Sequence, residues 1–191
     1  MDYQNITRNG NVILTKDKIY TRKQLFTNFE IFISYSNFLI TKIINLTEPP
    51  FEIHVSNNEK EYVFYFFLKN ITGAGWKNKP KIKRIQIKNT TNIREKLIAT
   101  NDKQLFLLLG YYNFDDNPIM VAWDPYRYDK HNTVRSCYVT TDLLLLGYQE
   151  GFAQTSSSGN IIWIFDKFHF NDFLLNYINY ELEHSHVTGI A

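Results

Sequence analysis

The sequence predicts a mainly β domain with a few short helices and one longer helix at the C-terminus. A hydrophobic content of 44% is typical of a globular chain and not of a disordered one. Aromatic residues make up 16%, and their side chains fit the pleated surface of a sheet. Short strand-like segments alternate with turn signals along the chain, a pattern of barrels and sandwiches. With 191 residues, one domain with a substantial core is expected.

The N-terminal elements follow from turn signals, caps and β-branched residues. Thr21 can cap a short helix because Gln24 stands three residues later, as in a capping box. The Pro49-Pro50 pair breaks the chain before the next apolar segment. The predicted elements are one or two strands in 6–20 around the turn at 9–11, a helix in 21–26, one or two strands in 29–46 and a strand in 51–55.

Two strands are predicted in the middle of the chain. Residues 60–69 are rich in aromatic and β-branched side chains. Residues 82–88 alternate, so that Ile85 and Ile87 face a core while Arg84, Gln86 and Lys88 share the other face.

The C-terminal half predicts further strands and the longest helix. In that helix Asn171 is the expected cap, and apolar residues recur at helical spacing: Phe173, Leu174, Tyr177, Ile178 and Leu182. The other expected elements are a short helix in 92–100, an antiparallel pair in 104–113 and 118–123, strands in 134–140 and 160–165, and a helix in 141–147 capped by Thr141 and ended by Gly147. Residues 1–182 are predicted to form one domain, and 183–191 a polar tail or the start of a linker.

Positive charge is concentrated in one segment, although the net charge is only +2. Residues 73–94 contain no Asp or Glu and seven basic residues: Lys77, Lys79, Lys81, Lys83, Arg84, Lys88 and Arg94. The remainder has 14 Lys and Arg against 19 Asp and Glu, and is acidic. This segregation is typical of a protein that binds a polyanion.

The basic segment predicts a DNA-binding arm. Lys77, Lys79, Lys81 and Lys83 are expected to contact phosphates, since alternate lysines of an extended arm share a face. Trp76 can stack on a sugar or base, while Asn78, Arg84 and Gln86 have the geometry to read base edges. The alternative is a solvated lysine-rich edge that prevents strand pairing.

Two further segments contribute candidate DNA contacts. The first mixes cationic, amide and aromatic side chains, and its candidates are Arg127, Lys130, Asn132 and Arg135. The second is a run of short polar side chains, expected to form a loop: Gln154, Thr155, Ser156, Ser157, Ser158 and Asn160. An ordinary loop or turn has the same compositions, so both readings stay open here.

Several classes of protein are disfavoured. A single cysteine, Cys137, allows no internal disulfide and fits a reducing compartment. The start has no apolar signal region, and apolar runs are shorter than a bilayer span, so the protein is expected to be cytoplasmic and not in a membrane. No phosphate-loop motif occurs. No catalytic residue, metal or cofactor is predicted.

Three blocks of sequence resemble the B-three DNA-binding pseudobarrel of plant transcription factors, and more closely the effector domains of EcoRII-, NgoAVII- and LlaJI-type restriction endonucleases. They are the Gly-rich arm running into Arg84-Ile-Gln-Ile, the pair 108–111 and 121–124, and the pair 145–148 and 160–165. The resemblance implies a seven-stranded open pseudobarrel with two arms, in 73–84 and 154–160, that enter the major groove. The arm here is rich in Lys where Arg is common in the restriction relatives.

These observations together predict sequence-specific binding of double-stranded DNA, as the target-recognition domain of a restriction–modification system in phage defence. The chain itself is then not an enzyme, and a nuclease or GTPase is fused to it or associated with it. Two alternatives remain. A complete Mg²⁺-dependent nuclease could use Gln86-Ile87-Lys88, but 62–93 supply no Asp. A modified-base reader could flip a base into a cage of Trp76, Tyr126, Tyr128 and Trp163.

Overall fold

A computed structural model confirms the predicted fold class. The structure describes residues 2–57, 60–88, 103–128, 134–157 and 159–185. Within these ranges, the side chains of residues 128, 157, 184 and 185 are not described. The helices are α1 (Arg22–Ser34), α2 (Thr141–Glu150) and α3 (Phe170–Ser185). The strands are β1 (Tyr3–Ile6), β2 (Val12–Thr15), β3 (Leu39–Asn45), β4 (Phe51–Ser56), β5 (Glu61–Asn70), β6 (Thr72–Gly73), β7 (Ile82–Lys88), β8 (Gln104–Tyr112), β9 (Ile119–Trp123), β10 (Val134–Thr140), β11 (Phe152–Ser157) and β12 (Asn160–Asp166).

Seven strands form the central sheet, in the order β11-β12-β9-β8-β5-β4-β3. Neighbours are antiparallel except β5 and β8, which run parallel. The predicted antiparallel pair in 104–113 and 118–123 is confirmed as β8 and β9, with Tyr112 opposite Ile119. The described strands make open sheets that do not close into a barrel.

One face of the central sheet is covered by α1 and α3. Alternate residues of β5 point to this side, including Phe64 and Phe66, because successive side chains of a strand face opposite ways. Phe29 of α1 stacks on Phe66 with ring centroids 4.7 Å apart, and Phe173 of α3 stacks on Phe165 at 4.1 Å. These rings form the larger of two apolar clusters.

The other face is covered by a small three-stranded sheet, ordered β10-β7-β6, together with α2 and the β1–β2 hairpin. Ile85 and Ile87 of β7 point inward as predicted and are buried against this face. Cys137 of β10 lies opposite Ile85 and is fully buried, as expected for a small core residue. None of the helices in the described ranges is long and apolar enough to cross a bilayer.

The prediction of strands from residue 29 onward is wrong at its start. The capping box of Thr21 and Gln24 is present, but the helix continues to Ser34. Leu25, Phe29 and Phe32 recur at the three- and four-residue spacing of one helix face and are all buried. Their burial against the sheet outweighs the strand preference of the β-branched and aromatic residues.

The predicted limits of the C-terminal helices also need correction. Thr140 and not Thr141 caps α2, which continues through Gly147 and ends before Gly151. Asp166 caps a 3-10 turn at Lys167–His169 that leads directly into α3. Asn171 instead lies inside α3, where its Oδ1 accepts the Asn37 N–H at 3.1 Å. The helix predicted in 92–100 lies outside the described residues. Of the tail predicted in 183–191, residues 183–185 belong to α3, and 186–191 lie outside the described residues.

Candidate nucleic-acid interface

The small sheet turns one face to solvent, and this outer face is made by alternate residues of three strands. Opposite residues of antiparallel strands share a face, so the register fixes its members. Thr72 and Tyr138 flank Arg84, Ser136 lies opposite Gln86, and Val134 lies opposite Lys88. The outer face, as named here, comprises Thr72, Arg84, Gln86, Lys88, Val134, Ser136 and Tyr138.

A basic turn, residues 74–81, connects β6 to β7 beside this face. It is closed by backbone bonds: the Lys79 N–H donates to the Trp76 carbonyl at 3.1 Å, and the Ile82 N–H donates to the Lys79 carbonyl at 3.1 Å. Lys77, Asn78 and Lys79 are exposed. Lys81 is exposed as well, and its ammonium lies 3.3 Å from the Asp142 carboxylate. The predicted arm is therefore a compact turn that projects lysines into solvent.

An aromatic pair joins the basic turn to the outer face. Trp76 and Tyr138 are 42% and 38% exposed, and their rings stack with centroids 5.2 Å apart and planes inclined by 25°. The Lys79 ammonium lies 5.5 Å from the centroid of the Trp76 ring, within the range of a cation–π contact. Tyr138 was not among the predicted site residues. The alternation of β10 places it on one face with Ser136, and this signal is readable from the sequence.

Lys83 is not available to a phosphate, which corrects its predicted role. It shares the inward side of β7 with Ile85, its side chain is fully buried, and its ammonium lies 2.5 Å from Asp17. The ammonium also donates to Asn5 Oδ1 at 3.0 Å, and the Tyr112 hydroxyl donates to the same oxygen at 3.2 Å. Burial lowers the pKa of the Lys83 ammonium, and the hydrogen bond to Asp17 opposes that shift.

Asp17 binds both ends of the basic turn. One carboxylate oxygen accepts the Gly73 N–H at 2.7 Å, just before the turn, and the other accepts from Lys83, just after it. Gly73 has a further role, because the Tyr3 ring packs directly on it; a Cβ there would lie 2.0 Å from that ring. Gly73 thus allows a close internal contact with the N-terminal hairpin.

Arg84 and Arg135 lie on opposite sides of the small sheet. Arg84 is half-buried on the outer face, with Nη1 3.5 Å from the Ser136 hydroxyl. Arg135 is opposite Ile87 and shares the inward side with Cys137. Its half-buried side chain is thus directed away from the outer face, and only Arg84 of the two joins the candidate interface.

The second predicted arm is a strand hairpin and not a loop. Gln154, Thr155 and Ser156 belong to β11, the edge strand of the central sheet. Gln154 is opposite Trp163 on the helix-covered side, whereas Thr155 is opposite Ile162 on the side of the small sheet. These side chains are consequently divided between the two sides of the sheet.

Arg127 supports the tip of that hairpin. Its Nε donates to the Gly159 carbonyl at 2.9 Å, and Gly159 has a φ of 73°, which favours glycine. The half-buried Asn160 begins β12 at this tip. Lys130, Asn132 and Ser158 lie outside the described residues, as does the side chain of Ser157.

Trp123 connects the two regions. Its indole N–H donates to the Tyr138 carbonyl at 2.9 Å, beneath the aromatic pair. The same residue is opposite Ile162 in the ladder between β9 and β12, the strand that follows the hairpin tip. A short series of contacts thus links the outer face to the second predicted arm.

The three cage candidates whose side chains the structure describes do not come together; the side chain of the fourth, Tyr128, lies outside the described residues. Trp163 is fully buried and packs edge-on against Tyr177 and Tyr180. The hydroxyl of Tyr126 donates to Glu181 at 2.6 Å, while Trp76 stacks on Tyr138 elsewhere. These three side chains therefore do not surround a common space.

The outer face carries no carboxylate that could bind Mg²⁺ for the alternative nuclease site. Gln86 and Lys88 lie opposite Ser136 and Val134, neither of which is acidic. Throughout the described ranges, no three His, Cys, Asp or Glu side chains come together as a metal site requires.

The fold and this surface define a class of protein: a mainly β domain with one basic and aromatic sheet face. The profile of the methylase-associated X1 family matches residues 62–174, more than half of the chain, and the chain belongs to that family. The match spans β5 to the first turn of α3 and includes the basic turn and outer face. The family is methylase-associated, and this association links it to restriction–modification systems. Comparison with curated proteins and with solved structures finds no match.

Proposed function

We propose that this chain binds double-stranded DNA sequence-specifically, as the target-recognition domain of a restriction–modification system, through the outer face and the basic turn. The observation that supports this most is the meeting of cationic, amide and aromatic side chains on one solvent-facing surface. Arg84, Gln86 and Lys88 point outward in register, and the lysines of the basic turn lie beside them.

The surface offers the two kinds of contact that a specific DNA complex needs. Lys77, Lys79 and Lys81 are exposed ammonium groups on a short turn, suited to phosphates. Arg84 and Gln86 stand on a strand, where their positions are fixed more firmly than on a loop, and both side chains can make paired hydrogen bonds to base edges.

The place of this surface in a larger system is part of the proposal. A methylase-associated family fits a domain that directs a modification or restriction enzyme to its site. The likeness to B-three effector domains is compatible with an open, strand-rich domain that has a basic turn and a polar hairpin. The catalytic part is then supplied by a fused or associated subunit.

A binding experiment over a salt series tests the proposal. Labelled duplex of mixed sequence is titrated with the protein, and log Kd is plotted against log salt. We expect a slope of about 0.9 for each phosphate neutralised. Replacing Lys77, Lys79 and Lys81 with Ala is expected to reduce the slope by roughly 2 to 3.

A matched control removes the same charge from elsewhere. Lys23, Lys42 and Lys60 are exposed lysines of α1, β3 and the turn before β5. Their replacement with Ala is expected to leave the slope nearly unchanged. A flat salt response of the unmodified protein, or equal losses in the two triple variants, would contradict the proposed surface.

A selection from random duplexes tests the specificity. We expect the selected duplexes to share a common motif. Arg84→Ala is expected to relax discrimination at one position of that motif, whereas the triple lysine variant weakens binding to all sequences alike. Selection of no motif would contradict sequence-specific recognition.

A further inference from the structure

The aromatic pair of Trp76 and Tyr138 has a geometry that duplex binding alone does not require. The two rings come from the basic turn and from β10, and they stack within 25° of parallel in solvent. Large aromatic side chains stacked in solvent leave apolar area exposed, and such area commonly marks a binding site. The pair therefore presents a flat π-surface above the outer face.

Groups that recognise a nucleobase surround this surface. Arg84 is directly opposite Tyr138 in the ladder, and Gln86 is opposite Ser136, two residues further along on the same face. Arg84 Nη1 lies 3.5 Å from the Ser136 hydroxyl, and the Lys79 ammonium lies over the Trp76 ring, 5.5 Å from its centroid. A base lying on the aromatic pair would meet donors and acceptors at its edge and ammonium groups near its phosphate.

A second exposed aromatic pair shows that composition alone does not produce such a surface. Tyr35 and Phe168, on the helix-covered side, are 45% and 62% exposed, and the Lys167 ammonium lies 4.8 Å from the Tyr35 ring centroid. Their rings meet edge-on, at 85°. This pair has the same residue classes as the first, but it does not offer two parallel rings.

We propose that Trp76 and Tyr138 stack an unpaired nucleobase, so that the DNA bound by this domain has one base removed from the helical stack. The inference rests on the proposed function. Inside a duplex both faces of every base are covered by its neighbours, and only an extruded base or a duplex end exposes a face to an aromatic ring. Stacking of a base on aromatic side chains is sequence-tolerant, so it adds affinity beside the contacts of Arg84 and Gln86.

The test uses closed dumbbell duplexes, which have no ends, of one sequence with and without a single bulged adenine. We expect the protein to bind the bulged dumbbell about 5-fold or more tighter than the fully paired one, because the base is already unpaired. Trp76→Ala and Tyr138→Ala are each expected to abolish that preference; binding of the paired dumbbell should weaken but keep its salt dependence. Trp76→Phe is expected to keep part of the preference, since it keeps a flat ring.

The test includes a control variant and defined results that would overturn the inference. Phe168→Ala removes an exposed ring from the other pair and is expected to leave the preference unchanged. Circular dichroism confirms that each variant is folded. Equal affinity of the unmodified protein for the two dumbbells, or a preference that survives in Trp76→Ala, overturns the inference and leaves the proposed duplex binding intact. Binding to neither dumbbell overturns both.

Discussion

The two sides of strand β7 have opposite environments, although both carry basic residues. Lys83 and Arg84 are adjacent in a basic sequence, yet the first is fully buried beside Asp17 and the second faces solvent beside Tyr138. The inward side joins the N-terminal hairpin to the core. The outward side forms the candidate interface.

Basic residues that look alike in the sequence can thus have two different environments: a buried ion pair or a solvent-facing surface. A cluster of basic residues along a chain becomes a cluster on a surface only where the strand turns them to the same side. In β7 the alternation assigns Arg84 and Lys88 to solvent and Lys83 to the interior. The proposed interface is smaller than the basic segment, and it gains Tyr138 from another strand.

The largest expected effect is on the inward side. Lys83→Ala leaves the Asp17 carboxylate buried without its cation, and we expect the free energy of unfolding to fall by about 3–5 kcal/mol. The outward Lys88→Ala is the matched control, with an expected change within about 0.5 kcal/mol. Urea unfolding followed by circular dichroism measures both changes. Similar losses of unfolding free energy in the two variants would contradict the distinction between the inward and outward sides of β7.

The next effect concerns binding through the outward side. Arg84→Ala is expected to weaken binding to the selected duplex by roughly 1–3 kcal/mol, because a paired contact to a base is lost. Arg135→Ala, on the inward side of β10, is expected to leave DNA contacts unchanged. Fluorescence anisotropy measures both affinities. A greater loss of affinity in Arg135→Ala than in Arg84→Ala would contradict the orientation assigned to these strands.

A smaller effect is expected at the hairpin of β11 and β12. Gly159→Ala forces a residue with a Cβ into a φ of 73°, where that Cβ would lie 2.1 Å from the Arg127 guanidinium. We expect a loss of stability of about 1–2 kcal/mol. In an Arg127→Ala background the contact is relieved and only the backbone strain remains, so the loss should shrink. Thermal unfolding of the four proteins measures this, and an unchanged loss would show that the Arg127 guanidinium does not crowd the tip.

The smallest effect is expected at the exposed ion pair of Lys81 and Asp142, whose side chains are 57% and 70% exposed. Exposed pairs contribute about 0–1 kcal/mol, so Asp142→Asn should change the stability very little. The same change frees Lys81 and removes a negative charge beside the basic turn. We therefore expect a slight gain in DNA affinity at low salt that disappears at high salt. A loss of affinity would place Asp142 itself in the interface.

The local sequence pattern predicted much of the fold correctly. The alternation of β7 correctly placed Ile85 and Ile87 inside, and the capping box correctly started α1. It failed for residues 29–34, where β-branched and aromatic residues satisfy both a strand and a helix pattern, and burial of Phe32 and Ile33 against the sheet decides for the helix.

The candidate site was less accessible to sequence reasoning, because its decisive contacts join distant parts of the chain. The partner of Lys83 is Asp17, 66 residues away, and the partner of Trp76 is Tyr138. Neither pairing has a local signal. Trp163, a candidate for the aromatic cage, is enclosed by its packing against α3, which is also remote from the local sequence pattern.

The double attachment at Asp17 has a consequence for the energetics of association. Since one carboxylate binds the residues on either side of the lysine-bearing loop, the ends of that loop have less freedom to lose when a ligand arrives. Ordering an interface side chain on binding otherwise costs about 0.5–1.5 kcal/mol. Asp17, remote from the ligand, thus limits the freedom of the loop's ends, and removing its carboxylate should weaken binding although no contact to the ligand is lost.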